Sequence, residues 1–309
     1  LTRNLMIFGQ GATRCHPYVL AEMEAAANPN EEEGLAQFDK LLLNHIGFAA
    51  GNFFGSLWMG LTGAHFNASP MSGPTARYYQ QLTRMSRALA LSADMAMLVM
   101  GGDLKRREML SARLGDVLSH LYMASAVLKR YEDDGRQAGD LPFVDYALQH
   151  HLYSIGQAFD GFFANFPNRF VAWTQRFVIF PFGIRVKKPT DATLQAIAKS
   201  TMEPGTTRDR HTFLCYWREE EDDMTGHMEL AFLGMRKNAD VYKRIRQAVK
   251  RGDIAENLNG DALAEAALAA EIVTAAEATE LKHVEALRLR AIGVDSFAPG
   301  VIEQRTFYS

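Results

Sequence analysis

Charge is missing over a long stretch of this chain. Between residues 41 and 76 there is no Asp, Glu, Lys or Arg. Cysteine is scarce too: Cys15 and Cys215 are the only two. Two thiols cannot build a disulfide framework, which suits a reducing compartment and so a cytoplasmic protein. Neither sign of charge dominates, since 33 Lys and Arg stand against 36 Asp and Glu, a net of −3. That balance gives no electrostatic reason to expect nucleic acid, which calls for a basic stripe. Hairpin signals, long alternating stretches and internal repeats are absent. So are a Walker loop, a Gly-x-Ser-x-Gly elbow and a His-Glu-x-x-His zinc motif.

What remains reads as helices nearly throughout, an all-α chain. Pro17 fits the first turn of a helix running to Ala27, which Asn28-Pro29-Asn30 ends. The next helix starts at Glu31-Glu32-Glu33, where negative charge complements the helix dipole. Tyr78, Leu82, Met85, Leu89, Ser92, Ala96 and Val99 then alternate in fours and threes, one seam of a bundle helix. Gly101-Gly102 stops it, and Asp103 can cap the next helix. A second seam is Leu110, Leu114, Val117, Leu121, Ala124, Leu128 and Tyr131. A third is Val144, Leu148, Leu152, Ile155, Phe159, Phe162 and Phe166, entered through Asp140 and Pro142. Three amphipathic helices on short connections predict an up-down bundle. Large side chains buried along each seam contribute about 1.5–3 kcal/mol apiece, enough to order the helices. Thr274 and Glu277 read as a capping box for a last helix that Gly293 closes.

Several residue groups invite a chemical reading and also have a plainer one. Gly9-Gln10-Gly11 lacks the third glycine and the preceding strand of a dinucleotide turn, so the glycines read as close helix packing. Cys15-His16 is half a metal site with no second pair at ligand spacing. Arg113, Asp116 and His120 share one helix face, as a polar relay or, more simply, a local ion pair beside a histidine. His150-His151, being adjacent, makes a poor metal face. No catalytic, cofactor or metal site is therefore assigned to these residues.

Two segments go beyond ordinary packing. In the charge-free stretch, Gly47, Gly51 and Gly55 recur every fourth residue among Phe48, Phe53, Phe54, Leu57 and Trp58. Such spacing lets helix backbones approach closely. The segment reads either as a membrane-embedded helix or, given Asn44, His45, Asn52 and Ser56 within it, as a helix buried against another domain or subunit. The second segment holds Phe170, Trp173, Arg176, Phe177 and Phe180, with Arg185, Lys187 and Lys188 at its margin. It reads either as core or as a face lying on a membrane surface.

The run from Arg3 through Gly9-Gln10-Gly11-Ala12 to Arg14-Cys15-His16-Pro17-Tyr18 resembles the bacterial-type acyl-CoA dehydrogenases. So do residues 104–108, 111–116 and 121–131, then Asn165-Phe166-Pro167-Asn168-Arg169 and Val178-Ile179-Phe180-Pro181. Leu287-Arg288-Leu289-Arg290-Ala291-Ile292 and Val294-Asp295-Ser296-Phe297 resemble that family's end, in the same order. Few family features fall in residues 188–260, and the acidic run at 219–223 stands where a less charged loop is expected.

The resemblance implies three segments: residues 1–27 as the tail of the catalytic helical domain, 28–187 as an appended helical bundle, and 188–309 as linker and C-terminal helices. It also implies an FAD enzyme of fatty-acid β-oxidation. There a glutamate removes the α-proton of a fatty acyl-CoA, flavin takes the β-hydride, and trans-2-enoyl-CoA results. That glutamate would stand just before Leu1, so the chain alone is expected to be inactive and to hold no FAD. The implied partners are the N-terminal flavin domain, the acyl-CoA, a second subunit in a homodimer and, through residues 170–183, the inner membrane surface. The competing reading is a stand-alone, non-catalytic helical scaffold or membrane-docking module.

Overall fold

The computed structural model describes Gly11, Arg14, residues 16–216, Arg218 and residues 223–294. The expectations for residues 5–8, Gly9, Cys15, 219–222 and 295–297 lie outside the described residues. Among those described there are twelve α-helices and no strand. The chain divides into two compact units, Leu1–Ala198 and Lys199–Ser309.

The first unit opens with α1 (Val19–Ala26) and the long α2 (Glu31–Thr62). Asn30 starts α2, its side-chain oxygen accepting from the Glu33 N–H at 3.3 Å, with three glutamates in the first turn. Gly63 ends α2 in the left-handed conformation. Then come α3 (Ala76–Met100), α4 (Glu108–Asp133) and α5 (Leu141–Asn165). Gly101, at φ 52°, stops α3 as the sequence predicts. Asp103 does not cap α4; it sits inside a 3₁₀ turn, Gly101–Arg106. Next is α6 (Arg169–Ile179), capped by Asn168, whose Oδ1 accepts from Phe170 and Val171 N–H at 3.1 and 3.2 Å. α7 (Asp191–Met202) runs through the division between the units. The first unit thus takes in both α1 and the bundle helices that the sequence assigns to an appended domain.

The seams are the core. Every member of the α4 seam and every member of the α5 seam is buried, and they join Leu82, Met85, Ala88, Leu91 and Ala96 of α3 in one cluster. On α3 the seam drifts. Val99 is exposed and Met100 is buried in its place.

The second unit contains α8 (Thr206–Thr212), α9 (Met224–Lys237), α10 (Ala239–Arg251), α11 (Gly260–Ala269) and α12 (Ala275–Ile292). Its own core gathers Val241, Ile245, Ala248, Ala264, Ala267 and Leu281. The capping box at Thr274 and Glu277 forms in full. α9 crosses α12 at Gly234, where an added Cβ would come within 2.5 Å of Val284 Cγ2.

Candidate functional site

The residues singled out in sequence do not all lie where the pattern puts them. Gly47 and Gly51 meet no neighbour: among the described residues nothing lies within 4 Å of a Cβ built on either. Gly55 does meet a neighbour, but it is the Arg87 side chain rather than a helix backbone. The close helix contact falls instead on Gly60, whose added Cβ would lie 2.8 Å from Pro181 Cδ and 2.9 Å from the Val178 carbonyl. The same glycines leave α2 with an unusual exterior. Phe54 is 67% and Trp58 56% exposed, beside Leu43, Ile46 and Leu61. Its inner side carries Asn52 and Ser56, both buried, with Asn52 Nδ2 and Ser56 Oγ lacking a hydrogen-bond partner.

On α6 the segment divides. Phe170 (75%), Trp173 (62%) and Phe177 (50%) are exposed, Trp173 and Phe177 stacked at 5.8 Å, with Arg176 paired to Asp160 at 2.6 Å. Phe180 is a correction to the expected face: it is 4% exposed. α6 ends at Ile179, and Phe180 leaves the helical phase with φ −129° and ψ 64°, entering the core against Phe159 and Phe163. No helix among the described residues is long and apolar enough to cross a membrane, which removes the spanning reading of α2.

A group the sequence reading passed over comes together at the start of the chain. His16, just before α1, bonds Asp94 of α3 from Nε2 to Oδ1 at 3.0 Å. His45 of α2 bonds Glu22 of α1 from Nδ1 to Oε1 at 2.9 Å. The two imidazoles lie 4.5 Å apart, and Tyr18 stacks on His45. Asp94 is 6% exposed, and its Oδ2 has no partner. Burial pushes the Asp94 carboxyl above the ordinary carboxylate range, against the pull of His16 and His45. Its sequence signal was its isolation, since it is the only charged residue from Ala88 to Gly102.

His16, His45 and Asp94 bring three potential ligand atoms within 4.8 Å of one another. The hydrogen bonds argue against a cation there. His16 Nδ1 accepts from the Tyr18 and Val19 N–H groups, each at 3.2 Å. A neutral imidazole has one N–H, so the proton sits on Nε2 and is donated to Asp94. A metal on Nε2 would displace that proton onto Nδ1, against two N–H groups. The cluster is therefore a hydrogen-bonded tie joining α1, α2 and α3.

His45 and Asp94 also line a pocket of about 340 Å³, whose other walls include Val19, Leu42, Ile46, Ala49 and Met95. It can take an apolar body with one donor at Asp94. Its lining has no set of donors for a flavin ring or diphosphate, so the pocket does not fit FAD.

Elsewhere, of the two readings of Arg113, Asp116 and His120 on α4, relay or local ion pair, neither describes the contacts of His120 and Arg113. His120 bonds His151 of α5, and Arg113 lies along Gly161, where an added Cβ would come 2.9 Å from its Nε.

No solved structure matches the chain. The family model for the acyl-CoA dehydrogenase C-terminal domain, bacterial type, matches residues 13–297. Nearly the whole described chain falls within that match, and the protein belongs to the bacterial-type acyl-CoA dehydrogenase C-terminal family.

Proposed function

We propose that this chain is the C-terminal part of an FAD-dependent acyl-CoA dehydrogenase that oxidises fatty acyl-CoA to trans-2-enoyl-CoA in β-oxidation. Its own task is to hold the flavin-binding part of the enzyme, with α2 as the seat. The observation that carries this is the exposed apolar face of α2. Leu43, Ile46, Phe54, Trp58 and Leu61 are exposed over a stretch with no formal charge, while Asn52 and Ser56 are buried beside Met59 on the other side. A lone domain leaves such a surface wet at a cost that scales with area. A covering partner removes that cost. FAD and the catalytic glutamate belong to the partner's side of the junction, and the described residues contribute packing.

The test uses the full-length enzyme. Phe54→Asp with Trp58→Asp puts two carboxylates on the seat while sparing the α3–α5 core. The expected result is loss of bound flavin, read at 450 nm, and of acyl-CoA oxidation, with the melting of the isolated chain nearly unchanged. Full flavin and activity in the double variant would remove α2 as the seat. A change in subunit number with flavin retained would assign the face to a second copy.

A second reading has its own observation. The three exposed aromatics of α6 are followed in sequence by Arg185, Lys187 and Lys188, and this is the composition of a membrane-surface contact. The domain then places the enzyme at the inner membrane surface, where long acyl chains are handled.

A further inference from the structure

The end of α2 and the segment after α6 close over a second pocket in the first unit, of about 400 Å³. Three guanidinium groups line it: Arg77 and Arg84 from α3, and Arg185. Among the described residues none of the three meets a carboxylate. Arg77 donates to the Gly63 carbonyl and, at 3.0 Å, to Gln80 Oε1. Arg84 donates to the Ile179 carbonyl at 2.8 Å and lies over the Phe180 ring at 5.3 Å. Arg185 donates to the Phe182 carbonyl at 2.9 Å and lies over the Phe182 ring at 5.4 Å. Every partner is neutral.

Arg84 Nε is in addition buried with no partner at all. Burial lowers the basicity of Arg77 and Arg84, and the Arg77 charge lowers that of Arg84 further. Arg84, and Arg77 in part, are taken out of water with no counter-charge among the described residues, which is costly to the fold, while Arg185 is exposed beside them. An arginine's fork of donors matches a phosphate in charge and geometry. His65 and Gln81 add polar lining, and exposed Leu61 and Phe182 stand among the same walls as apolar neighbours.

We propose that this pocket binds the phosphate group of a phosphorylated ligand, held by Arg77, Arg84 and Arg185. The volume exceeds a bare phosphate and leaves room for what the phosphate carries. Two sources share this chemistry, an anionic lipid headgroup and a soluble phosphate compound. Its arginines lie apart from Phe54 and Trp58 of the α2 seat, although Leu61 borders both, so the two proposals are tested by different variants.

Inorganic phosphate is titrated calorimetrically into the chain, with ionic strength held constant by chloride. Saturable binding is expected, weakened by at least about tenfold in Arg77→Gln with Arg185→Gln, since two charge-assisted contacts are lost. Should the double variant unfold, Arg185→Gln alone serves, because it loses only contacts with exposed Phe182, its carbonyl and its ring. Vesicles of phosphatidylcholine, with and without phosphatidylglycerol, separate the sources. Sedimentation with the anionic vesicles alone, competed by free phosphate, assigns a lipid headgroup. Phosphate binding without vesicle capture assigns a soluble compound. No saturable phosphate binding by the unaltered chain, or equal binding by Arg185→Gln, overturns the proposal.

Discussion

His120 of α4 and His151 of α5 meet Nδ1 to Nδ1 at 2.9 Å. One proton suits that contact and two do not, because two N–H groups would face each other. Burial holds both imidazoles below their ordinary value of 6.5; Asp116 pulls His120 the other way and His150 adds repulsion to it, while His120 and then His150 add repulsion to His151. The folded state therefore prefers the neutral pair. The pair's contribution to stability is full above the unfolded value near 6.5 and is lost as pH falls below it. The melting temperature is expected to drop between about pH 7 and pH 5. His151→Phe should flatten that part of the profile. An unchanged slope in the variant would place the acid sensitivity elsewhere.

Asp94 gives the opposite sign. Its carboxyl is raised by burial, so its ionised form costs stability above the unfolded value of 3.8, and the cost fades as pH falls through that range. Asp94→Asn keeps an oxygen for the His16 Nε2–H and removes the charge. The variant is expected to melt above the native chain at pH 7, the gap closing toward about pH 4. A variant that melts lower at pH 7 would show that the carboxylate is net stabilising in the tie to His16.

How far the sequence could be read depends on which rule each residue obeys. The α4 and α5 seams were legible because periodicity reports one thing well, a helix face buried against other helices. α2 defeated the same rule. Phe54 and Trp58 are exposed, and Asn52 and Ser56 share the inside with Met59, Phe53 and Leu57, so hydrophobicity alone does not mark the inside. Phe180 was placed with Trp173 and Phe177 by helical spacing, but the helix stops one residue before it. The His16–Asp94 tie joins residues 78 apart, a pairing that no local pattern encodes. The three arginines of the second pocket are likewise assembled only by the packing of α2, α3 and the segment after α6.

The aromatics near α6 should separate into two behaviours. Trp173→Ala with Phe177→Ala removes exposed rings and is expected to shift melting little. If this face meets lipid, the same pair should release the protein from anionic vesicles, an attachment that weakens as salt rises. Phe180→Ala empties a core position beside Phe159 and Phe163 and should cost roughly 3–5 kcal/mol. Vesicle attachment that survives the Trp173 and Phe177 changes would remove the membrane role from α6.

The glycines of α2 test the seat from the other side. A helix-interior glycine replaced by alanine gains about 0.5–1 kcal/mol where there is room. Gly47 and Gly51 have that room in this chain, with nothing among the described residues within 4 Å of an added Cβ. Gly47→Ala with Gly51→Ala should therefore raise the melting temperature of the isolated chain. Gly60→Ala should lower it, because its Cβ would press on Pro181 and the Val178 carbonyl. The full-length enzyme should respond differently to the first pair. If another backbone comes close at these glycines, two methyl groups push it away, and flavin retention and acyl-CoA oxidation fall although the domain itself is more stable. That split, a firmer domain and a weaker enzyme, cannot come from damage to the fold. If instead both the isolated chain and the full enzyme are simply stabilised, nothing packs closely on Gly47 and Gly51, and the seat lies nearer Phe54 and Trp58 or is not on α2.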